Sequence, residues 1–155
     1  MYKIDDINVF FDKSVTYAMV GVSKNKQKFG NTAFKHLKSQ GYKVFPVNNT
    51  MSELDGEKVY SSVTDLPEDV KHVIIMTPQK VSKQIIEESL KKGITHIWLQ
   101  QSAGDEETIE FGKKSGITFV YGRCMFMFAQ PVKGMHKFHR SILEFFGKVP
   151  RVVRN

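Results

Sequence analysis

The residues best suited to chemistry lie in one polar loop, Gly21-Val22-Ser23-Lys24-Asn25-Lys26-Gln27-Lys28-Phe29-Gly30-Asn31. It follows an apolar run and precedes a helical pattern. Gly21 lets the chain turn sharply, Ser23 and Asn25 offer short polar side chains, and Lys24, Lys26 and Lys28 supply positive charge. A helix opening near Asn31 would present free N–H groups to a phosphate. Two further junctions belong with this loop. Val47-Asn48-Asn49-Thr50 ends a second apolar run, and Met76-Thr77-Pro78 leads into a helix carrying Val81, whose apolar wall could border an aromatic base.

The loop departs from the G-x-G-x-x-G dinucleotide fingerprint. Ser23 stands at the second glycine position, and the next glycine is Gly30. The end of the second run is the sharper discriminator. NAD sites usually place Asp or Glu there to bond the ribose diol, whereas Asn48 and Asn49 occupy that place here. Amides and lysines suit a ligand with an additional ribose phosphate, such as NADP or coenzyme A.

Other reactive types are scattered. Cys124 follows Arg123, which could lower its thiol pKa, but its setting between Val120 and Met125 reads as a buried small hydrophobe. His136-x-x-His139 places two imidazoles on one helical face, which is half of a metal site with no cluster to complete it. His72 and His96 fall at strand starts and carry no functional assignment. Met125 to Phe128 read as core or a dimer face.

The elements that must position these residues alternate regularly. Strands are predicted at Tyr17–Val22, Lys43–Val47, His72–Met76, His96–Gln100 and Thr118–Tyr121, continuously apolar as in a parallel sheet covered on both faces. A further short strand is expected near Val59–Ser62. Helices are predicted over Asn31–Gln40, Pro78–Lys92 and Asp105–Lys114, ending at Gly41, Gly93 and Gly116. Thr77 is expected to cap the second, with Pro78 in its first turn. This pattern predicts an α/β, Rossmann-like, doubly wound parallel sheet in a single domain. Helical spacing at Ile4, Ile7, Phe10 and Phe11, and again from Val132 to Phe146, adds flanking N- and C-terminal helices. A ligand is expected at the carboxyl ends of the strands, at the loops after the first and fourth βα units.

Composition agrees with one domain. The chain has 155 residues, too few for two ordinary domains, and a net charge of +7 that favours anionic partners. Residues 131–155 alone carry +5. The division expected is 1–130 as the ligand-binding domain and 131–155 as a basic amphipathic helix and tail packed on it. A single cysteine excludes an internal disulfide, and neither a signal peptide nor an apolar run long enough to span a membrane is legible, so the cytoplasm is the expected compartment. The basic segment lacks a recognisable nucleic-acid motif, leaving packing, a homodimer or a protein partner as its expected roles.

The residues together carry a family resemblance. Ala18-Met19-Val20-Gly21-Val22-Ser23-Lys24-Asn25 with Phe29-Gly30-Asn31, then Gly41-Tyr42-Lys43-Val44-Phe45-Pro46-Val47-Asn48, Gly56, Tyr60, Ser62-Val63, Leu66-Pro67, Ile97-Trp98-Leu99-Gln100 and Arg123-Cys124 resemble the stand-alone bacterial coenzyme A-binding proteins. These are related to the coenzyme A-binding domain of the succinyl-CoA synthetase alpha subunit. The resemblance covers about residues 15–125. It departs from the family's common pattern at Asn48-Asn49 and at Gln101-Ser102-Ala103-Gly104. It implies a coenzyme A site with phosphates at Ser23–Lys26, the ribose phosphate near Asn48, and adenine against Met76–Pro78. The candidate set is Gly21, Val22, Ser23, Lys24, Asn25, Lys26, Lys28, Phe29, Gly30, Asn31, Val47, Asn48, Asn49, Met76, Thr77, Pro78, Val81 and Gln100. The function expected is binding of coenzyme A or an acyl-CoA without catalysis by this chain alone. The competing readings are an enzyme acting on acyl-CoA through Cys124, and an NAD(H)- or NADP-binding sensor whose basic tail meets DNA.

Overall fold

The structure, a computed structural model, describes residues 10–129 and the backbone of residues 151–153. The C-terminal helix, the His136/His139 pair and most of the N-terminal helix expected from the sequence lie outside the described residues.

Five parallel strands form the sheet: β1 (Thr16–Val20), β2 (Lys43–Val47), β5 (His72–Ile75), β6 (His96–Leu99) and β7 (Thr118–Tyr121). Their order is β2-β1-β5-β6-β7, and an antiparallel strand β8 (Arg151–Val153) pairs with β7 at the edge. This strand falls within the stretch expected to be helix and tail. Side chains alternate across the sheet. Tyr17, Met19, Ile74, Trp98 and Val120 face one layer, with Ala33, Phe34 and Leu37 of α1 (Phe29–Ser39) and with Phe10 and Phe11. Ala18, Val73, Ile75, Ile97 and Phe119 face the other, packed by Ile86 of α2 (Gln79–Lys92) and by Ile109 and Phe111 of α3 (Glu106–Lys113). Helices on both faces explain why the strands run continuously apolar.

The helix ends are set by local chemistry. Gly41 and Gly93 adopt left-handed φ values of 85° and 79°. Around each, two backward bonds close a Schellman motif: Gly41 N–H to Lys38 O and Tyr42 N–H to Leu37 O, then Gly93 N–H to Leu90 O and Ile94 N–H to Ser89 O. Asp105 caps α3 by accepting from the Thr108 N–H at 2.8 Å. At α2 the expected cap is corrected. Pro78 itself is the N-cap, with extended ψ of 144°, and the Thr77 hydroxyl pairs instead with Ser82 Oγ at 2.8 Å. Proline's fixed φ and missing N–H suit the last non-helical position as well as the first helical one.

The short strand expected at Val59–Ser62 is also corrected. The segment holds a hairpin, β3 (Glu53–Leu54) with β4 (Glu57–Lys58), and then a single parallel bridge from Tyr60 to Val47. Asp55 and Gly56 both have positive φ, as a two-residue type I′ turn requires. Lys35 and Lys38 of α1 pair with Asp55 and Glu57 at 3.1 and 3.0 Å, so these two acidic groups face α1.

Candidate functional site

A parallel sheet opens where neighbouring strands send their connections in opposite directions. β1 leads through α1 to β2 on one side, while β5, on its other side, leads through α2 to β6. The crevice therefore lies between the loops after β1 and β5. The expectation of the first and fourth βα units is corrected to the first and third, because the third parallel strand, β5, is β1's other neighbour, while the loop after the fourth, β6, borders the same crevice.

Glycines bring the loops into backbone contact there. Gly21 has φ 98°, its N–H donates to Val47 O at 3.2 Å, and a Cβ on it would stand 2.9 Å from Met76 C and O. A Cβ on Gly30 would stand only 2.3 Å from Gly21 O. The first turn of α1 is thus seated directly on the β1 loop, and the β5 loop touches it from the other side.

A cavity of about 1240 Å³ opens at this junction, ample for a nucleotide-sized ligand. Of the residues selected from sequence, Gly21, Val22, Ser23, Lys28, Phe29 and Gly30 line it from the first loop. Val47, Asn48 and Asn49 line it from the end of β2. Met76, Thr77, Pro78 and Val81 line it from β5 and α2, and Gln100 from the end of β6. Lys24, Asn25, Lys26 and Asn31 do not line it. Asn25 accepts from the Gln27 N–H within the loop, and Asn31 is buried with its side chain turned to Ser23 O.

The mouth of α1 is electropositive. Its first turn holds no acidic residue, its N-cap, Lys28, makes no side-chain cap, and the N–H groups of Phe29 and Gly30 find no acceptor among the described residues. Lys28 adds a full charge. At the end of β2 the lining is Asn48, Asn49 and Thr50, with no carboxylate. Glu88, on α2, is the acidic residue that lines the cavity, and it accepts from Gln84 Nε2 at 2.8 Å. Among the described residues no group of His, Cys, Asp and Glu is arranged to hold a metal.

Residues lining the cavity beyond those expected from sequence include Ser61 and Ser62, then Gln84, Ile85 and Glu88 of α2, and Gln101 to Ala103 beyond β6. Val81, Gln84, Ile85 and Glu88 share one helical face at i, i+3, i+4 and i+7, a signal that was available. Cys124 is corrected as well. It is partly exposed and lines the cavity, because Gln100 Oε1 accepts from the Met125 N–H at 3.0 Å and holds that turn over the end of β6. Met125 and Phe128 are core, as expected.

Comparison with known proteins bears on the fold and the family. The chain is 41% identical over 98 residues to the alpha subunit of an ADP-forming acetate–CoA ligase of Pyrococcus furiosus, an alignment covering 63% of this chain and 21% of that one. A Bacillus subtilis protein, YneT, is 26% identical over 120 residues, covering 77% of this chain and 89% of that one. A solved structure of a conserved hypothetical protein from Pyrococcus furiosus superimposes with TM-score 0.69 at 40% identity, covering 72% of this chain and 96% of that one. The chain spans only about a fifth of the length of the ligase it matches. A purely bacterial family, as the resemblance implied, is too narrow, since archaeal relatives are among those found. Residues 15–130 match the model of the CoA binding domain, and the chain belongs to that family.

Proposed function

We propose that the chain binds coenzyme A, free or acylated, in the cavity between the β1 and β5 loops. The observation that carries the reading is that every residue lining the cavity falls within residues 15–130, the stretch matched by the CoA binding domain. The lining fits that ligand. Lys28 and the open N–H groups of α1 suit its phosphates, Asn48, Asn49 and Thr50 accept a phosphorylated ribose without repulsion, and Met76 and Pro78 offer an apolar edge to the base. Bound coenzyme A would supply a thiol for carrying acyl groups, and the chain's part is to hold and orient it. Chemistry on the thioester is then expected from a partner, much as the ligase relative is named as one subunit of an enzyme. Among the described residues no helix is long and apolar enough to cross a membrane.

Calorimetric titration with coenzyme A, dephospho-coenzyme A, NADH and NADPH at one salt concentration tests this. Coenzyme A is expected to bind, and the dephospho form to bind about tenfold more weakly, the worth of a charge-assisted hydrogen bond. Binding of NADH alone would overturn the reading. A second reading, an enzyme acting on acyl-CoA, rests on Cys124 lining the same cavity. Thioester turnover lost in Cys124→Ala would establish it.

A further inference from the structure

Two asparagines fix the peptide orientation of the β1 loop. Asn31, in the first turn of α1 and 3% exposed, donates from Nδ2 to Ser23 O at 2.8 Å. Asn48, just after β2, donates from Nδ2 to Val22 O at 2.7 Å, while its Oδ1 accepts from both the N–H and the hydroxyl of Thr50 at 2.7 Å. The Asn48 amide, expected from the resemblance near a ribose phosphate, is thus engaged by the protein itself.

A trans peptide points its carbonyl and its following N–H in opposite directions. Capture of Val22 O and Ser23 O therefore turns the N–H groups of Ser23 and Lys24 away from the two asparagines. Neither N–H has an acceptor among the described residues, and neither do those of Phe29 and Gly30 at the start of α1. Ser23, Phe29 and Gly30 line the cavity and Lys24 follows Ser23 directly, so unpaired N–H groups are available there to an anion. The dinucleotide fingerprint reaches the same end by removing side chains so that backbone can approach a pyrophosphate. This chain keeps Ser23 at the second glycine position.

We infer that Asn31 and Asn48 are positioning residues for phosphate, holding the β1 loop with its N–H groups outward. The inference rests on the coenzyme A reading. Asn31 acts only through the loop, because its side chain does not line the cavity. Asn48 has a second consequence: a carboxylate there, as NAD sites usually carry, has no hydrogen to give Val22 O.

The test follows backbone amide resonances in ¹⁵N-labelled protein during titration with inorganic pyrophosphate, alongside affinities for coenzyme A and for pantetheine, which has no phosphate. In the wild type the Ser23, Lys24, Phe29 and Gly30 amides are expected to shift with pyrophosphate. In Asn31→Ala the Lys24 shift is lost and coenzyme A affinity falls about ten- to a hundredfold, while pantetheine affinity stays within about twofold. Asn48→Ala is expected to lose the Ser23 shift in the same way, and it serves if Asn31→Ala does not fold. Equal weakening of coenzyme A and pantetheine would show a merely structural role and overturn the inference, as would unchanged coenzyme A affinity. A wild type that binds pyrophosphate at these amides but not coenzyme A overturns the ligand reading and leaves the positioning role standing. A wild type that binds neither overturns both.

Discussion

Gly30→Ala is expected to lower stability by about 2–3 kcal/mol and to remove coenzyme A binding in the same step. Alanine in place of glycine inside a helix ordinarily gains about 0.5–1 kcal/mol through backbone entropy. Here the sign reverses. The new Cβ would lie 2.3 Å from Gly21 O and 3.2 Å from Gly21 C, and both are backbone atoms that no rotamer change can move aside. Gly21 cannot yield freely either. Its N–H is held by Val47 O, and Met76 backbone lies 2.9 Å from where its own Cβ would be. Relief must come from moving the first turn of α1 off the loop, which separates the Phe29 and Gly30 N–H groups from those of Ser23 and Lys24. Urea denaturation and calorimetric titration of the same preparation read both losses. A midpoint and an affinity equal to the wild type would show that the close seating of α1 on the loop is absent.

The same seating explains what could and could not be read from sequence. The parallel sheet was legible because Val73-Ile74-Ile75 and Ile97-Trp98-Leu99 are apolar without alternation, as burial on both faces requires. The helix ends were legible because Gly41 and Gly93 supply the left-handed residue that closes a Schellman motif. The place of the cavity was half legible. Loops after β1, β2 and β5 announced themselves by composition, but which pair flanks the crevice depends on strand order. That order is a long-range property no local pattern encodes. The hairpin at Asp55-Gly56 was a missed local signal, hidden because its strands are only two residues long. Asn31 enters the candidate set as the end of the β1 loop and part of the Phe29-Gly30-Asn31 run. Its direction toward Ser23 O depends on the α1 axis, which is fixed by Phe34 and Leu37 packing on the sheet. Cys124 was assigned to the core because its neighbours are apolar, yet the bond from Met125 N–H to Gln100 leaves the thiol at the cavity.

At the opposite end of the sheet, acid is expected to weaken the fold through His72. Its ring stacks on His96 of the neighbouring strand, with centroids 4.1 Å apart and planes 8° from parallel, and meets the rings of Phe10 and Tyr17 edge-on. The residue is 7% exposed, and Nδ1 has no partner among the described residues. Burial, with a smaller contribution from the His96 imidazole, pushes its pKa down from 6.5 to about 4, against a weak opposing pull from Asp12. A depressed histidine pKa means that the unfolded chain takes up a proton the native state refuses. The stability His72 permits is therefore complete above about pH 6.5 and is lost progressively as the pH falls toward 4. Over that window the loss amounts to about 3 kcal/mol. The carboxylates held low by hydrogen bonds, Asp12, Asp65, Glu68, Asp105 and Glu110, are all exposed at the surface and lose their contribution at the acid end of the range. Denaturant unfolding of the wild type and of His72→Val, a β-branched residue continuing the Val73-Ile74-Ile75 run, separates the two causes. The variant is expected to keep its stability from pH 6.5 to 4.5 while the wild type declines. Parallel pH profiles for the two would assign the acid sensitivity to the carboxylates and show that His72 accepts its proton without leaving the core.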